Sequence, residues 1–384
     1  MKKYRLISWA IACVVMLCTM GGCAGPRREN TIAIGGIISL TGTPPLYGNS
    51  VSNGIRLATS QINEEGGVLG KTIEYIERDD KGDEKEAVKA YKELKSKKVL
   101  GILGATTTET SVALGQAAQK DGIPVITPNA TAPEVTTFAC NLFRASFTAP
   151  YQSRTMASFA SEQLGAKKVA ILYEFSDTYS GGSASEFGYK AQQLGIKDIV
   201  YRSYSRDDTD FTMQLEQIKE SEPEVLFVPA TYKTFVMIAE QARQMGIEAV
   251  LLGGVTCEGV LSVANEQQKE LLEGTYFCAS YFSQQDDEKS MEFAKAYRQE
   301  YGEEPDSFAA LGYDAAMLLY DSIKKAGEPK PEKLVNQLKS FESNGVTGPI
   351  HLNCLGDPEN KRIFILKISE GQYTLQALIA PEPV

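Results

Sequence analysis

The pattern that most limits this chain is an alternation of short apolar strands with amphipathic helices, run through twice. The first pass reads as strand Thr31–Ser39, helix Ser50–Glu65, strand Lys71–Arg78, helix Asp83–Ser96, strand Val99–Leu103, helix Glu109–Asp121 and strand Ile123–Thr127. The second reads as helix Gln152–Leu164, strand Lys168–Tyr173, helix Gly182–Leu194, strand Ile199–Ser203, helix Phe211–Ser221, strand Val225–Val228, helix Tyr232–Met245 and strand Val250–Leu252. Strands that are apolar on both faces and alternate with helices belong in parallel sheets covered on each side. Two passes of similar size predict an α/β chain with two similar lobes. Asn141–Pro150 has weak periodicity and is expected to cross between them. Helices follow at Asp287–Tyr301 and Phe308–Lys325. The strands Arg362–Ser369 and Gln372–Leu378 flank Glu370-Gly371, a hairpin signal.

The first residues read as an export signal, not as fold. Lys2, Lys3 and Arg5 precede an apolar run from Leu6 to Thr19, and Gly21-Gly22 precede Cys23. The run is shorter than the roughly 20 apolar residues of a membrane span. A cysteine after two small residues resembles a bacterial lipoprotein cleavage site, with the thiol of Cys23 taking the lipid. Met20 stands where such sites usually carry Leu. The expectation is a signal peptide over residues 1–22, a lipidated tether over 23–30 and extracytoplasmic anchoring.

Loss of that signal removes three positive charges and no negative one, moving the net charge from −10 to −13. Such a chain repels nucleic acid. About 362 residues then remain, more than a single core usually organises. His351 is the only histidine, which argues against Ser-His-Asp or Cys-His catalysis and against a histidine-rich metal site. There is no phosphate-binding G-x-x-x-x-G-K motif, and Cys257 beside Glu258 lacks a base. The chain is therefore not expected to be an enzyme or to need a cofactor or metal. Cys140, Cys257, Cys278 and Cys354 show no close spacing, so disulfides and free thiols both stay open.

In open α/β sheets ligands bind beyond the carboxyl ends of strands, where helices begin. Two such segments carry hydroxyls: Gly104-Ala105-Thr106-Thr107-Thr108 and Pro128-Asn129-Ala130-Thr131. Hydroxyls and free N–H groups at a helix start suit a carboxylate. The same threonines could simply cap the helix at Glu109.

Several ordered stretches resemble the periplasmic leucine/isoleucine/valine-binding proteins, solute-binding proteins of ABC importers. They are TIAIGGIISLTGTPPLYGNSVSNG over Thr31–Gly54, QINEEGGVLG over Gln61–Gly70, GIPVITPNATAPE over Gly122–Glu134, DTYSGG over Asp177–Gly182, PDSFAALGYDAAML over Pro305–Leu318 and GVTGP over Gly345–Pro349. The resemblance implies two Rossmann-like lobes joined by three crossovers, with ligand in the cleft and closure by hinge motion. It divides the chain into 31–148 with 281–353, and 149–280 with 354–384. It puts the ligand's carboxylate at Thr107, Thr108 and Thr131, with a backbone contact at Asn129 or Ala130. It makes Tyr47, Tyr179 and Phe308 aromatic walls, although Phe308 suits a helix core equally well.

Two positions depart from the family. Thr231 stands at a second-lobe tyrosine position, with Tyr232 beside it. Val255 occupies the slot where many members carry an acid for the ligand's α-ammonium. Thr256 or Glu258 would have to compensate, since a buried ammonium without a counter-charge is costly. Otherwise the ligand lacks an amine. The expected function is thus an extracytoplasmic, monomeric binding lipoprotein that delivers a small carboxylate-bearing solute to a membrane permease. A branched-chain or other aliphatic amino acid is the first choice. An aromatic acid, keto acid or small amide is the alternative, as is a ligand-sensing receptor module.

Overall fold

The computed structural model describes residues 30–42, 45–359 and 361–380. The signal, Cys23 and the tether up to residue 29 lie outside them. Five strands form one sheet: β1 (Thr31–Ile38), β2 (Thr72–Asp79), β3 (Ile102–Gly104), β4 (Val125–Thr127) and β5 (Leu142–Arg144), in the order β2-β1-β3-β4-β5. The pairs β1–β3, β3–β4 and β4–β5 are parallel. A second sheet starts with β6 (Lys168–Glu174), β7 (Asp198–Tyr204), β8 (Val225–Val228), β9 (Val250–Gly253) and β10 (Tyr276–Ala279). A small ladder of β11 (Glu342–Gly345) and β12 (Gly348–His351) precedes β13 (Ile363–Ser369) and β14 (Gln372–Ile379), which return to the second sheet. Its order is β14-β13-β10-β9-β8-β6-β7.

In the second sheet β6 to β10 pair in parallel, and the C-terminal hairpin signalled by the sequence adds an antiparallel edge. The β13–β14 hairpin runs antiparallel and pairs β13 antiparallel to β10. A tight turn at Glu370-Gly371 can join only antiparallel strands. The segment Asn141–Pro150 is also not plain connection. Leu142, Phe143 and Arg144 form β5, wholly buried, and the crossing starts after it. Arg144 hides the strand in the sequence, because a charged residue is not expected at a fully buried strand position.

That arginine is paired in every direction. Its Nε donates to Asp357 Oδ1 at 2.5 Å, its Nη1 to the Ala130 carbonyl at 3.1 Å, and its Nη2 to the Ala132 carbonyl at 2.9 Å and Thr136 Oγ1 at 3.1 Å. Its backbone N–H donates to the Gly356 carbonyl at 3.0 Å. One side chain so ties together the end of β5, the loop after β4 and the connection after β12.

Four helices position the cavity described below: α1 (Pro45–Glu64), α2 (Thr108–Ala118), α3 (Thr178–Gln193) and α4 (Ser307–Ala326). Helix α1 starts five residues before the apolar spacing becomes regular, with Pro45 at its first position, where no N–H is needed. Helix α3 starts before Gly181-Gly182 because Asp177 caps it, accepting from Ser180 N–H at 2.6 Å. Helices α1 and α4 touch backbone to backbone. A Cβ on Gly54 would strike the Ala309 carbonyl, and one on Gly312 the Val51 carbonyl. Among the described residues the four cysteines are free thiols, Cys257 and Cys278 buried and Cys140 and Cys354 exposed.

Asp357→Asn keeps the shape but leaves the fully buried guanidinium of Arg144 without its anion. The expected loss is about 3 kcal/mol of folding stability, read by urea unfolding with an unchanged m value. A variant within about 0.5 kcal/mol of wild type would show that the ion pair is dispensable.

Candidate functional site

The strand orders reverse direction between β1 and β3 in one sheet and between β6 and β8 in the other. Such switch points open crevices at the carboxyl ends of strands. A cavity of about 770 Å³ lies there. Its walls come from loops that follow strands: Thr106–Glu109 after β3, Asn129–Thr131 after β4, Asp177 and Tyr179 after β6, Arg206 after β7, Ala230 and Thr231 after β8, and Val255 and Thr256 after β9. Tyr47 from α1, residues 81–85 after β2 and Phe308 from α4 also line it.

The three threonines before α2 divide the work. Thr106 Oγ1 accepts from Ser39 N–H at 3.2 Å. Thr107 is the N-cap, in a reciprocal capping box with Thr110. Thr108, 5% exposed, lines the cavity, and its hydroxyl makes no hydrogen bond among the described residues. Thr131, 3% exposed, likewise lines the cavity with no hydrogen bond to its hydroxyl among the described residues. Neither hydroxyl is sealed off as a buried unpartnered atom, so both are open to whatever fills the cavity. The capping role falls to Thr107, and Thr108 stays open to the cavity.

Ala130 lines the cavity, but its backbone is engaged elsewhere. Its N–H donates to Thr127 Oγ1 at 3.2 Å, and its carbonyl accepts from Arg144. Asn129 is the better candidate for a polar contact there; its Oδ1 is buried without a partner.

Tyr47 does more than form a wall. Its hydroxyl donates to the Thr256 carbonyl and accepts from Tyr232 N–H at 3.2 Å. Its ring stacks on Phe308 with centroids 4.2 Å apart and meets Tyr232 edge-on at 5.3 Å. Tyr232 stays outside the lining and supports Tyr47. Tyr179 Oη lies 3.3 Å from Thr256 Oγ1, and a Cβ on Gly254 would collide with it. Thr231 lines the cavity, its Oγ1 3.2 Å from that of Thr234.

Around Val255 the backbone N–H and the neighbouring hydroxyl are engaged, while Gln152 Nε2 is buried without a partner. Val255 N–H donates to Gln152 Oε1 at 3.2 Å, and the Thr256 hydroxyl donates to the Ala230 carbonyl at 2.7 Å. Glu258 does not swing into the cavity. Its Oε1 accepts from Ser307 N–H at 3.1 Å at the start of α4, and burial, with Asp306 nearby, pushes its carboxyl up to about 8.

Sequence reasoning missed a charged group in the lining: Glu109 from α2, Glu174 at the end of β6, Asp177 after it, and Arg206. Glu109 Oε1 accepts from Thr178 N–H at 3.2 Å, joining the two lobes. Arg206 Nε donates to Glu174 Oε1 at 2.9 Å, and its Nη2 is 4.0 Å from Asp177. Burial and then the facing Glu109 carboxylate raise Asp177 to about 7. The D-x-Y pattern held the signal, with attention on the tyrosine alone. Among the described residues no helix is long and apolar enough to cross a membrane, and no group of three His, Cys, Asp or Glu is arranged to hold a metal.

A family model described as periplasmic binding protein matches residues 31–372. The leucine-, isoleucine-, valine-, threonine- and alanine-binding protein of Pseudomonas aeruginosa is 26% identical over 334 residues, 86% of this chain and 88% of that one. The branched-chain amino acid transporter substrate-binding protein LivJ of Streptococcus pneumoniae, solved with isoleucine, is 29% identical with a TM-score of 0.83, covering 92% of this chain and all of that one. A solute-binding protein of an R. palustris ABC transporter, solved with benzoate, shares the fold at a TM-score of 0.82 and 22% identity, covering 91% and 97%.

Two expectations follow from this geometry. Tyr47→Phe removes both hydrogen bonds that join α1 to the second lobe and should weaken ligand binding by about 1–2 kcal/mol, with the fold intact by circular dichroism. An unchanged dissociation constant would show that the hydroxyl does not hold the lobes together. Glu258→Gln tests the buried carboxyl. Its raised value means the folded chain binds more protons than the unfolded chain between about 4.5 and about 8. Stability conferred by the wild-type residue therefore falls as pH climbs through that window. The variant should match wild type near pH 5 and be the more stable of the two above pH 8, as read by thermal unfolding at each pH.

Proposed function

This chain belongs to the periplasmic binding protein family, and we propose that it is the extracytoplasmic receptor of an ABC importer for an aliphatic amino acid. The substrate-binding role in such transporters is common to its relatives. Periplasmic binding proteins act outside the cytoplasm, and the relatives are solute-binding proteins rather than enzymes.

The observation that carries the ligand class is the pair of hydroxyls of Thr108 and Thr131, on largely buried residues of the cavity wall, that make no hydrogen bond among the described residues. Thr108 also stands at the start of a helix, where the dipole and unpaired N–H groups favour an anion. A carboxylate satisfies both hydroxyls at once. Tyr47, Phe308, Tyr179 and Val255 offer the apolar surface that an aliphatic side chain needs. Closure brings 31–148 with 281–353 against 149–280 with 354–384. Lipid on Cys23 would keep the receptor beside its permease; one acyl chain holds only marginally, so several are required.

A second reading is favoured by one observation. Val255 puts no carboxylate in that wall to meet an amine, and the Glu258 carboxyl is turned to Ser307. An aromatic or keto acid fits such a wall, and a benzoate-binding protein shares the fold.

The double variant Thr108→Ala, Thr131→Ala should abolish binding of carboxylate ligands while thermal unfolding stays cooperative. Unchanged affinity by calorimetry would end the assignment. A thermal-shift panel of aliphatic amino acids, keto acids, aromatic acids and small amides then chooses between the readings. Stabilisation by amino acids alone supports the first, and stabilisation by acids without an amine supports the second.

A further inference from the structure

Resting on the reading of Thr108 and Thr131 as the carboxylate site, we infer that Glu109 and Asp177 together supply the counter-charge for a ligand ammonium group. They stand in for the acid absent at Val255.

Glu109 follows Thr108 directly on α2, and Asp177 caps α3 on the other lobe. Both line the cavity that the free hydroxyls of Thr108 and Thr131 face. An α-amino acid holds its ammonium one carbon from its carboxylate. Glu109 Oε1 accepts from Thr178 N–H at 3.2 Å beside Asp177, so a ligand seated at Thr108 shares the cavity with both carboxylates. The alternative neighbourhood, around Val255 and Thr256, has its N–H and hydroxyl groups engaged. The Glu258 carboxylate is turned to Ser307 at the head of α4.

The charges around this pair do not balance. Glu109, Glu174 and Asp177 face one guanidinium, that of Arg206, which is bonded to Glu174 and stands 4.0 Å from Asp177. Lys81 and Lys85 line the mouth beside Asp83 and Glu84, all four exposed, so they add no net charge. One carboxylate from each lobe is left against the other. Like charges at this range retain a proton, and Asp177 is raised to about 7 for this reason as well as by burial. An ammonium arriving between the two carboxylates replaces that proton, which leaves to solvent. An acid without an amine brings no such exchange.

Calorimetry near pH 7, in two buffers of different ionisation heat, reads the exchange. The probes are leucine and its keto acid, 4-methyl-2-oxopentanoate. Leucine binding should release a measurable fraction of a proton, and keto acid binding should not. Asp177→Asn keeps a capping oxygen for Ser180 N–H. It should lower leucine affinity about tenfold or more, leave keto acid affinity unchanged and abolish proton release. Glu109→Gln should do the same. Leucine that binds either variant as tightly as wild type, or both ligands weakened equally, overturns the assignment. A wild type that binds neither compound overturns instead the carboxylate reading on which it rests.

Discussion

The guanidinium of Arg144 meets three separate stretches of chain inside the protein, and the rest of the site is arranged around that meeting. It sits at the end of the last strand of the first sheet, where the chain leaves for the second lobe. Through the Ala130 and Ala132 carbonyls it sets the loop that carries Thr131. Through Asp357 it holds the segment on which the chain returns to the second sheet. A buried charge is tolerable only when its partners are complete. This one is complete only when the β4 loop and both connections are in register. The arginine thus links the position of Thr131 to the two chain segments that connect the sheets.

Much of the fold could be read from apolar periodicity, because strands buried on both faces and helices buried on one leave different spacings. The places where the reading slipped share a physical cause. Leu142–Arg144 was hidden by a charge whose partner lies more than two hundred residues further on. The start of α3 was hidden by two glycines that an aspartate cap overrides. The antiparallel edge of the second sheet was visible as a hairpin, yet nothing local said which strand it would join.

The binding wall was legible where the chemistry is local. Thr107, Thr108, Asn129, Ala130, Thr131, Tyr47, Tyr179, Thr231, Val255, Thr256 and Phe308 all line one cavity, while Tyr232 and Glu258 stand behind it. What local spacing could not convey was division of labour. Whether Thr107 or Thr108 caps the helix depends on where the helix begins by a single residue. Whether Ala130 offers its backbone depends on a distant arginine. The acidic group formed by Glu109, Glu174 and Asp177 draws on both lobes, so no window of sequence contains it.

The close passage of α1 and α4 at Gly54 and Gly312 carries a consequence for timing. Tyr47 rides on α1 and Phe308 on α4, and the two helices touch through backbone with no side chain between them to yield. The aromatic wall therefore moves as one piece with the first lobe. The surface opposite, Tyr179 and Val255, follows strands of the other sheet and, on the proposed closure, would arrive only when the lobes come together. On the proposed closure, a solute would first meet a half-site made of Thr108, Thr131 and the aromatic wall. The shape of its apolar group is tested afterwards, between two surfaces that cannot individually adapt. Discrimination among similar solutes then falls on how long each is retained, and entry rates should differ little between good and poor ligands.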